Sequence, residues 1–237
     1  SEKIYRHELG TQPEMDVMVY HEKDPSFYIG VYKSKSDDYV IIWNSSTLVS
    51  DYHVLDATNP RGDFQQFIPR DEKAHEYGIS HFKDKWYIVT NRDATNFKLM
   101  ETSINNTDES SWKEVIPHRN NVLLEGIELF NEYMVVDERE NGLTNLRIIN
   151  QESGDEHYLD FGEPAYNAYI STNAEFDTKT LRFGYTSLTT PNSTYDYNME
   201  TKEKTLMKRQ EVVGGHNPDD YVTERVWATV RDGEKVP

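Results

Sequence analysis

Tyr133-Met134-Val135-Val136-Asp137-Glu138-Arg139, then Leu143 and Leu146-Arg147-Ile148-Ile149, is the stretch from which the fold is read. Its apolar residues are mostly β-branched or aromatic and nearly continuous. They do not recur at helical spacing, so the run reads as two strands covered on both faces. The turn dipeptide Asn141-Gly142 separates them.

The same pattern occurs three more times. Tyr39-Val40-Ile41-Ile42-Trp43-Asn44 leads to Tyr52-His53-Val54-Leu55. Trp86-Tyr87-Ile88-Val89-Thr90-Asn91-Arg92 leads to Phe97-Lys98-Leu99-Met100. Leu181-Arg182-Phe183-Gly184-Tyr185-Thr186 leads to Tyr195-Asp196-Tyr197. The period is about 47 residues, within the range of roughly 40 to 50 for propeller blades. The expected fold class is all-β, a partial β-propeller of about four blades, each a four-stranded antiparallel sheet. The quoted pairs are expected to be the third and fourth strands, with the first two upstream, as in His75-Glu76-Tyr77-Gly78-Ile79-Ser80-His81-Phe82. Breaker-rich turns such as Asp37-Asp38, Asn59-Pro60-Arg61-Gly62-Asp63 and Ser153-Gly154-Asp155 separate the strands. A short helical turn is expected at Asn120 to Leu124.

Composition narrows the function classes. A chain of 237 residues can build one substantial core or two small ones. Its formal net charge of -17 argues against a nucleic-acid partner, which calls for a basic face. The acidic balance permits attraction of basic peptides, although a solvated acidic surface is the favoured reading. There is no cysteine, hence no disulfide framework and no thiolate nucleophile. No apolar run approaches the roughly twenty residues that span a bilayer, so no membrane partner is expected.

The last stretch reads as a strand from Glu224 to Val230, a turn at Asp232-Gly233 suited to a two-residue hairpin, and a second strand beginning at Lys235-Val236. Half of that hairpin's second arm is missing, which leaves an unpaired edge. The chain is therefore expected to be an excised piece of a longer protein. Between the last repeat and this hairpin, residues 208–222 carry Gly214-Gly215 and Asn217-Pro218-Asp219-Asp220. They read as a flexible connection or as an ordinary breaker-rich surface loop.

Glu224-Arg225, Trp227-Ala228-Thr229, Arg231-Asp232-Gly233 and Val236-Pro237 resemble the junction between propeller and catalytic domain in the prolyl oligopeptidase family of serine peptidases, in particular its oligopeptidase B branch. Tyr5-Arg6-His7-Glu8-Leu9-Gly10, Thr90-Asn91-Arg92, Glu163-Pro164-Ala165-Tyr166, Thr189-Thr190-Pro191 and Tyr195-Asp196-Tyr197 agree in order and spacing, so the similarity runs the whole length. The resemblance implies that residues 1–210 are the last four blades of a seven-bladed propeller. It implies that residues 211–237 connect to a missing α/β-hydrolase domain, with Gly214, Gly215 and Pro218 at the hinge. It implies a cytoplasmic peptidase that cleaves short peptides after Arg or Lys, with no cofactor. The rival class is a non-enzymatic propeller serving as a binding platform.

The chemistry legible in these residues is sparse. A serine peptidase of the hydrolase fold needs G-x-S-x-G on a strained elbow, and the nearest approach, Gly78-Ile79-Ser80, lacks the closing glycine and lies in an expected strand. By the family layout, serine, aspartate and histidine all lie beyond Pro237. No catalytic residue is therefore expected in this chain, and the chain alone is expected to be inactive. His75 and His81 could share one side of a strand, but no third metal ligand accompanies them, so no metal site is assigned. Arg92 and Arg139 occupy equivalent repeat positions beside Asn91 and Glu138. They either face a domain interface or channel, or form salt bridges between blades; the second is favoured. The end blades lack neighbours, so the excised piece is expected to self-associate.

Overall fold

The computed structural model describes residues 2–71 and 73–237. These fold as two compact units, the first ending at Asn120 and the second running from Asn121 to Pro237.

The first unit opens with a two-stranded pair, β1 (Glu2–Arg6) and β2 (Val17–Glu22). A four-stranded sheet follows, made of β3 (Tyr28–Lys33), β4 (Tyr39–Ser45), β5 (Ser50–Asp56) and β6 (Gln65–Gln66). A second consists of β7 (Tyr77–Phe82), β8 (Lys85–Thr90), β9 (Lys98–Ser103) and β10 (Lys113–Ile116). The second unit repeats the plan. One sheet holds β11 (Val122–Leu129), β12 (Tyr133–Glu140), β13 (Leu143–Asn150) and β14 (Glu156–Tyr158). The other holds β15 (Tyr166–Ile170), β16 (Thr180–Ser187), β17 (Ser193–Asn198) and β18 (Lys204–Arg209). Every neighbouring pair is antiparallel and consecutive in sequence, the meander of a propeller blade. A final hairpin pairs β19 (Ala228–Thr229) with β20 (Lys235–Val236). No helix among the described residues is long and apolar enough to cross a membrane.

The near-continuous apolar runs have the expected physical reason. Successive strand residues point to opposite faces, and Ile41 and Ile42 on β4 are 1% and 0% exposed. Val135 and Val136 on β12 are likewise fully buried. Within the first unit, Ile41, Phe67, Tyr77, Ile79, Trp86 and Ile88 pack into one cluster. Within the second, Phe130, Val135, Leu146, Ile148, Phe161, Leu181 and Phe183 do so. Each such side chain stabilises the fold by about 1.5–3 kcal/mol relative to exposure. The β12–β13 turn is set by Asn141 at φ 51° and Gly142 at φ 79°. Both central positions of this two-residue turn need positive φ, which Asn and Gly tolerate.

Three local expectations need correction. The recurring strand pairs are the second and third strands of each sheet, not the third and fourth. The fourth strands are too short or polar to stand out: β6 is Gln65-Gln66 and β14 is Glu156-His157-Tyr158. Second, Asn120 to Leu124 forms no helical turn; the chain reverses at Asn120-Asn121, and Val122 starts β11. Its β-branched and aliphatic residues pair across to Glu140, Arg139 and Glu138. Third, the terminal strand is shorter than Glu224–Val230, and the loop has three residues rather than two. Val230 N–H reaches Glu234 O at 2.9 Å, and Gly233 sits at φ 90°. Arg231-Asp232-Gly233 is thus a type I turn closed by a left-handed glycine.

Candidate functional site

The most connected polar site in the second unit centres on Glu163, in the link that enters β15. Tyr185 and Ser187 share one face of β16, and Thr189 and Thr190 follow in the loop to β17. Tyr185 Oη donates to Glu163 Oε1 at 2.7 Å, Ser187 Oγ at 2.8 Å and Thr190 Oγ1 at 3.1 Å. Thr189 Oγ1 donates to Oε2 at 2.8 Å. The fifth donor comes from far along the chain: Thr223 Oγ1 reaches Oε2 at 2.9 Å. Burial alone would raise the Glu163 pKa. The hydroxyls of Tyr185, Ser187, Thr189 and Thr223 outweigh it and bring the pKa down to about 2. At neutral pH Glu163 is therefore a fixed anion and a poor base. It serves as an anchor.

Two further contacts fasten the same tail to the second unit. His216 Nε2 donates to Thr189 O at 2.8 Å, and its ring stacks on Tyr221. Arg225 donates to Asn141 O in the β12–β13 turn and lies over the Trp227 ring. Thr223 is 7% exposed, whereas Val222 and Val226 beside it are 80% and 76% exposed. The tail runs along the surface and buries its own hydroxyl that meets Glu163.

Gly214 and Gly215 adopt φ of 94° and 90°, which any other residue would resist. They lie between fixed points: Gln210 N–H donates to Asn192 O at 2.8 Å, and His216 is tied to Thr189. Pro218 opens a short 3-10 turn that Asn217 caps through Asp219 N–H.

The first unit holds a different charged site. Arg70 donates to Glu22 Oε2 at 2.5 Å and to Asp51, and its guanidinium covers the Phe27 ring. Asn44 Nδ2 bridges Asp51 to Tyr20 Oη. Asp51 is wholly buried and Glu22 is 5% exposed. Burial favours neutral Glu22, but Arg70 and the Asp24 N–H hold its pKa below the usual carboxylate range.

An open cleft of about 640 Å³ adjoins this cluster and contains Arg92. Arg92 donates to both Glu109 oxygens at 2.9 and 3.0 Å, to Asp71 at 2.7 Å and to His75 Nδ1 at 2.9 Å. Because Nδ1 accepts, His75 carries its proton on Nε2 and donates it to Thr90 Oγ1 at 2.9 Å. Burial first, then the Arg92 cation, depresses the His75 pKa. Asn91 fastens the preceding loop, accepting from Glu76 N–H and donating to Ala74 O.

Arg139 grips Glu125 with two bonds, at 2.8 and 3.0 Å. Glu125 sits at the β11 bulge that the register shift marks, so this ion pair lies within one sheet rather than between blades. Glu138 is 1% exposed, ion-paired with Arg147 at 2.9 Å, and accepts from Tyr158 Oη. His75 and His81 belong to separate networks: His81 Nδ1 meets Ser36 Oγ at 2.7 Å. Ser80 lies within β7, as the strand reading required. Arg92 and Arg139 are thus engaged by carboxylates, and Glu163 and Thr223 are the residues to which sequence reasoning gave no role.

The family model for the prolyl oligopeptidase N-terminal beta-propeller domain matches residues 1–210. The chain belongs to the prolyl oligopeptidase family. Its relatives in that family include dipeptidyl aminopeptidase BI of Pseudoxanthomonas mexicana, 42% identical over 100% of this chain and 32% of the relative. Protease 2 of Moraxella lacunata is 30% identical over 99% of this chain and 33% of its own length. Among solved structures, oligopeptidase B of Leishmania major superposes with a TM-score of 0.87 at 27% identity, over 98% of this chain and 34% of that one. Oligopeptidase B of Trypanosoma brucei, in a closed form with covalently bound antipain, gives 0.86 at 29% identity, over 98% and 34%. The chain therefore spans about a third of the length of these family members.

Proposed function

We propose that this chain is the access-controlling propeller of a longer serine peptidase that hydrolyses short peptides after Arg or Lys. The observation that carries the reading is the family match over residues 1–210, followed by a tail fastened to the last sheet through Thr223 and Glu163. A propeller joined in this way admits substrate when it and its catalytic partner part, and excludes folded proteins by size. The similarity to two oligopeptidase B structures supports the basic-residue preference. So does the net charge of -17, which concentrates cationic peptides near the protein. The Pseudoxanthomonas relative is named for dipeptide release, so that activity is the competing outcome.

Steady-state kinetics on the full-length protein test the proposal. N-terminally blocked Arg and Lys peptides should be cleaved, with kcat/KM falling as peptide length grows and KM rising with salt. Equal rates on folded proteins overturn the access role. Turnover confined to substrates with a free N-terminal dipeptide overturns the specificity. The 237-residue chain alone should show no turnover and should self-associate in light scattering.

A further inference from the structure

The tail after β18 holds two kinds of joint. Gly214 and Gly215 are the flexible residues, yet the chain is bound before them at Gln210 and after them at His216, Thr223 and Arg225. A segment fixed at both ends can absorb slack, but it cannot swing what lies beyond its second fixed point. The contact that fixes that point has unusual chemistry. Glu163 receives five hydroxyls, four of them from its own sheet and the β16–β17 loop. Those four preorganise the carboxylate, and Thr223 takes the remaining place on Oε2. After Arg225 the chain is largely exposed, with Val226 at 76% and Trp227 at 46%, until β19 begins.

We propose that Glu163 is a latch for the interdomain tail, fixing the point where the chain leaves the last sheet, so that domain opening in the longer protein pivots beyond Arg225 and not at Gly214-Gly215. The inference rests on the proposed access role for its kinetic consequence, but the latch itself is a property of the second unit. Glu163 acts here as a positioning residue, through Thr223.

The experiment uses the full-length protein and compares Glu163→Gln, Thr223→Val, Thr223→Ser and Gly214→Ala. Limited tryptic cleavage after Arg225, in the exposed stretch that Thr223 fastens, is the first readout. Loss of one hydrogen bond to the Glu163 carboxylate should speed cleavage there about tenfold in Glu163→Gln and Thr223→Val. Thr223→Ser keeps the hydroxyl and should restore protection, which a merely bulk-packing role would not do. Gly214→Ala should leave residues 221–226 as protected as in the parent. The second readout is KM for a long and a short Arg peptide. It should change for the long peptide in the two latch variants and stay within about twofold in Gly214→Ala. Wild-type protection in Thr223→Val, whose methyl keeps the shape, overturns the latch even if Glu163→Gln fails to fold. A KM change in Gly214→Ala that matches the latch variants overturns the pivot's placement. If the full-length protein cleaves no peptide, the access role fails while the tryptic cleavage data still decide the latch.

Discussion

In the first unit a guanidinium lies between two buried carboxylates, Arg70 with Glu22 and Asp51. In the second a carboxylate, Glu163, lies among five neutral hydroxyls. Both arrangements remove charge from water beside a β-sheet. The first compensates charge with charge, so deleting one member strands the others. The second compensates with oriented dipoles, so the loss of any one donor leaves four. The comparison teaches that the first site is brittle and the second is graded. That suits a core fastening in one case and the seating of a surface tail in the other.

The largest expected effect comes from breaking the brittle site. Arg70→Met should cost about 3–5 kcal/mol, because two carboxylates are left buried and unpaired. Urea unfolding followed by tryptophan fluorescence reads this unit well, since Trp43, Trp86 and Trp112 all belong to it. An unchanged midpoint would mean that water reaches Glu22 and Asp51 freely.

Glu163→Gln should cost less, about 1.5–3 kcal/mol, the value of hydrogen bonds to a charged group. Amide exchange on β16 and β17 measures it, and a loss as large as that of Arg70→Met would erase the contrast.

Mild acid should separate the units more gently. In the first, burial depresses the pKa of His53, His75 and His81; Arg70 and Arg92 add to this at His53 and His75, while Asp51, Glu109 and Asp38 oppose. A histidine kept neutral by the fold contributes stability above its unfolded pKa, and that contribution is lost as pH falls below about 6.5. In the second unit burial and Lys202 depress His157, but burial and Glu125 raise Asp137 to about 6. A carboxyl whose folded pKa is raised destabilises above that pKa, and the penalty disappears as pH drops below about 6. Glu163, at about 2, stays ionised throughout. Taking the protein from pH 7 to 5.5 should therefore speed exchange in residues 2–120 and leave residues 121–237 nearly unchanged. Equal softening of both would remove the distinction.

The smallest effect is expected at Arg139. Its pair with Glu125 is bidentate but about a third exposed, with side chains at 39% and 29%. Arg139→Ala should lower stability by about 0.2–1 kcal/mol. A thermal melt that shifts little, with normal substrate affinity in the full-length protein, fits a pair internal to one sheet. Weakened substrate affinity would instead return Arg139 to an interface or channel.

The sequence made the strands of highest apolar content plain, and much less of what surrounds them. β4, β8, β12 and β16 carry runs covered on both faces, and such runs announce themselves. β6 and β14 contribute two and three polar residues by pairing alone, and only the ladder reveals them. That is why the recurring pairs read from sequence as third and fourth strands although they are the second and third. Val122-Leu123-Leu124 suits helix and strand alike over so short a span, and pairing with β12 settled it. The Glu163 site was legible only in pieces. Glu163-Pro164-Ala165-Tyr166 and Thr189-Thr190-Pro191 stood out as separate family-like motifs, and Thr223 lies directly before Glu224-Arg225. Serine and threonine are ordinary surface residues, and nothing in their spacing foretells that five hydroxyls converge on one carboxylate. His75 and His81, which a shared strand side could bring together, have the separate partners Thr90 and Ser36.

The glycine pair has a consequence for handling this molecule. Because the backbone is gripped on both sides of Gly214-Gly215, an enzyme that cut that bond would leave two pieces still clasped together. Such a nicked protein would run as one species under native conditions and as two bands once detergent stripped the tail from its seat.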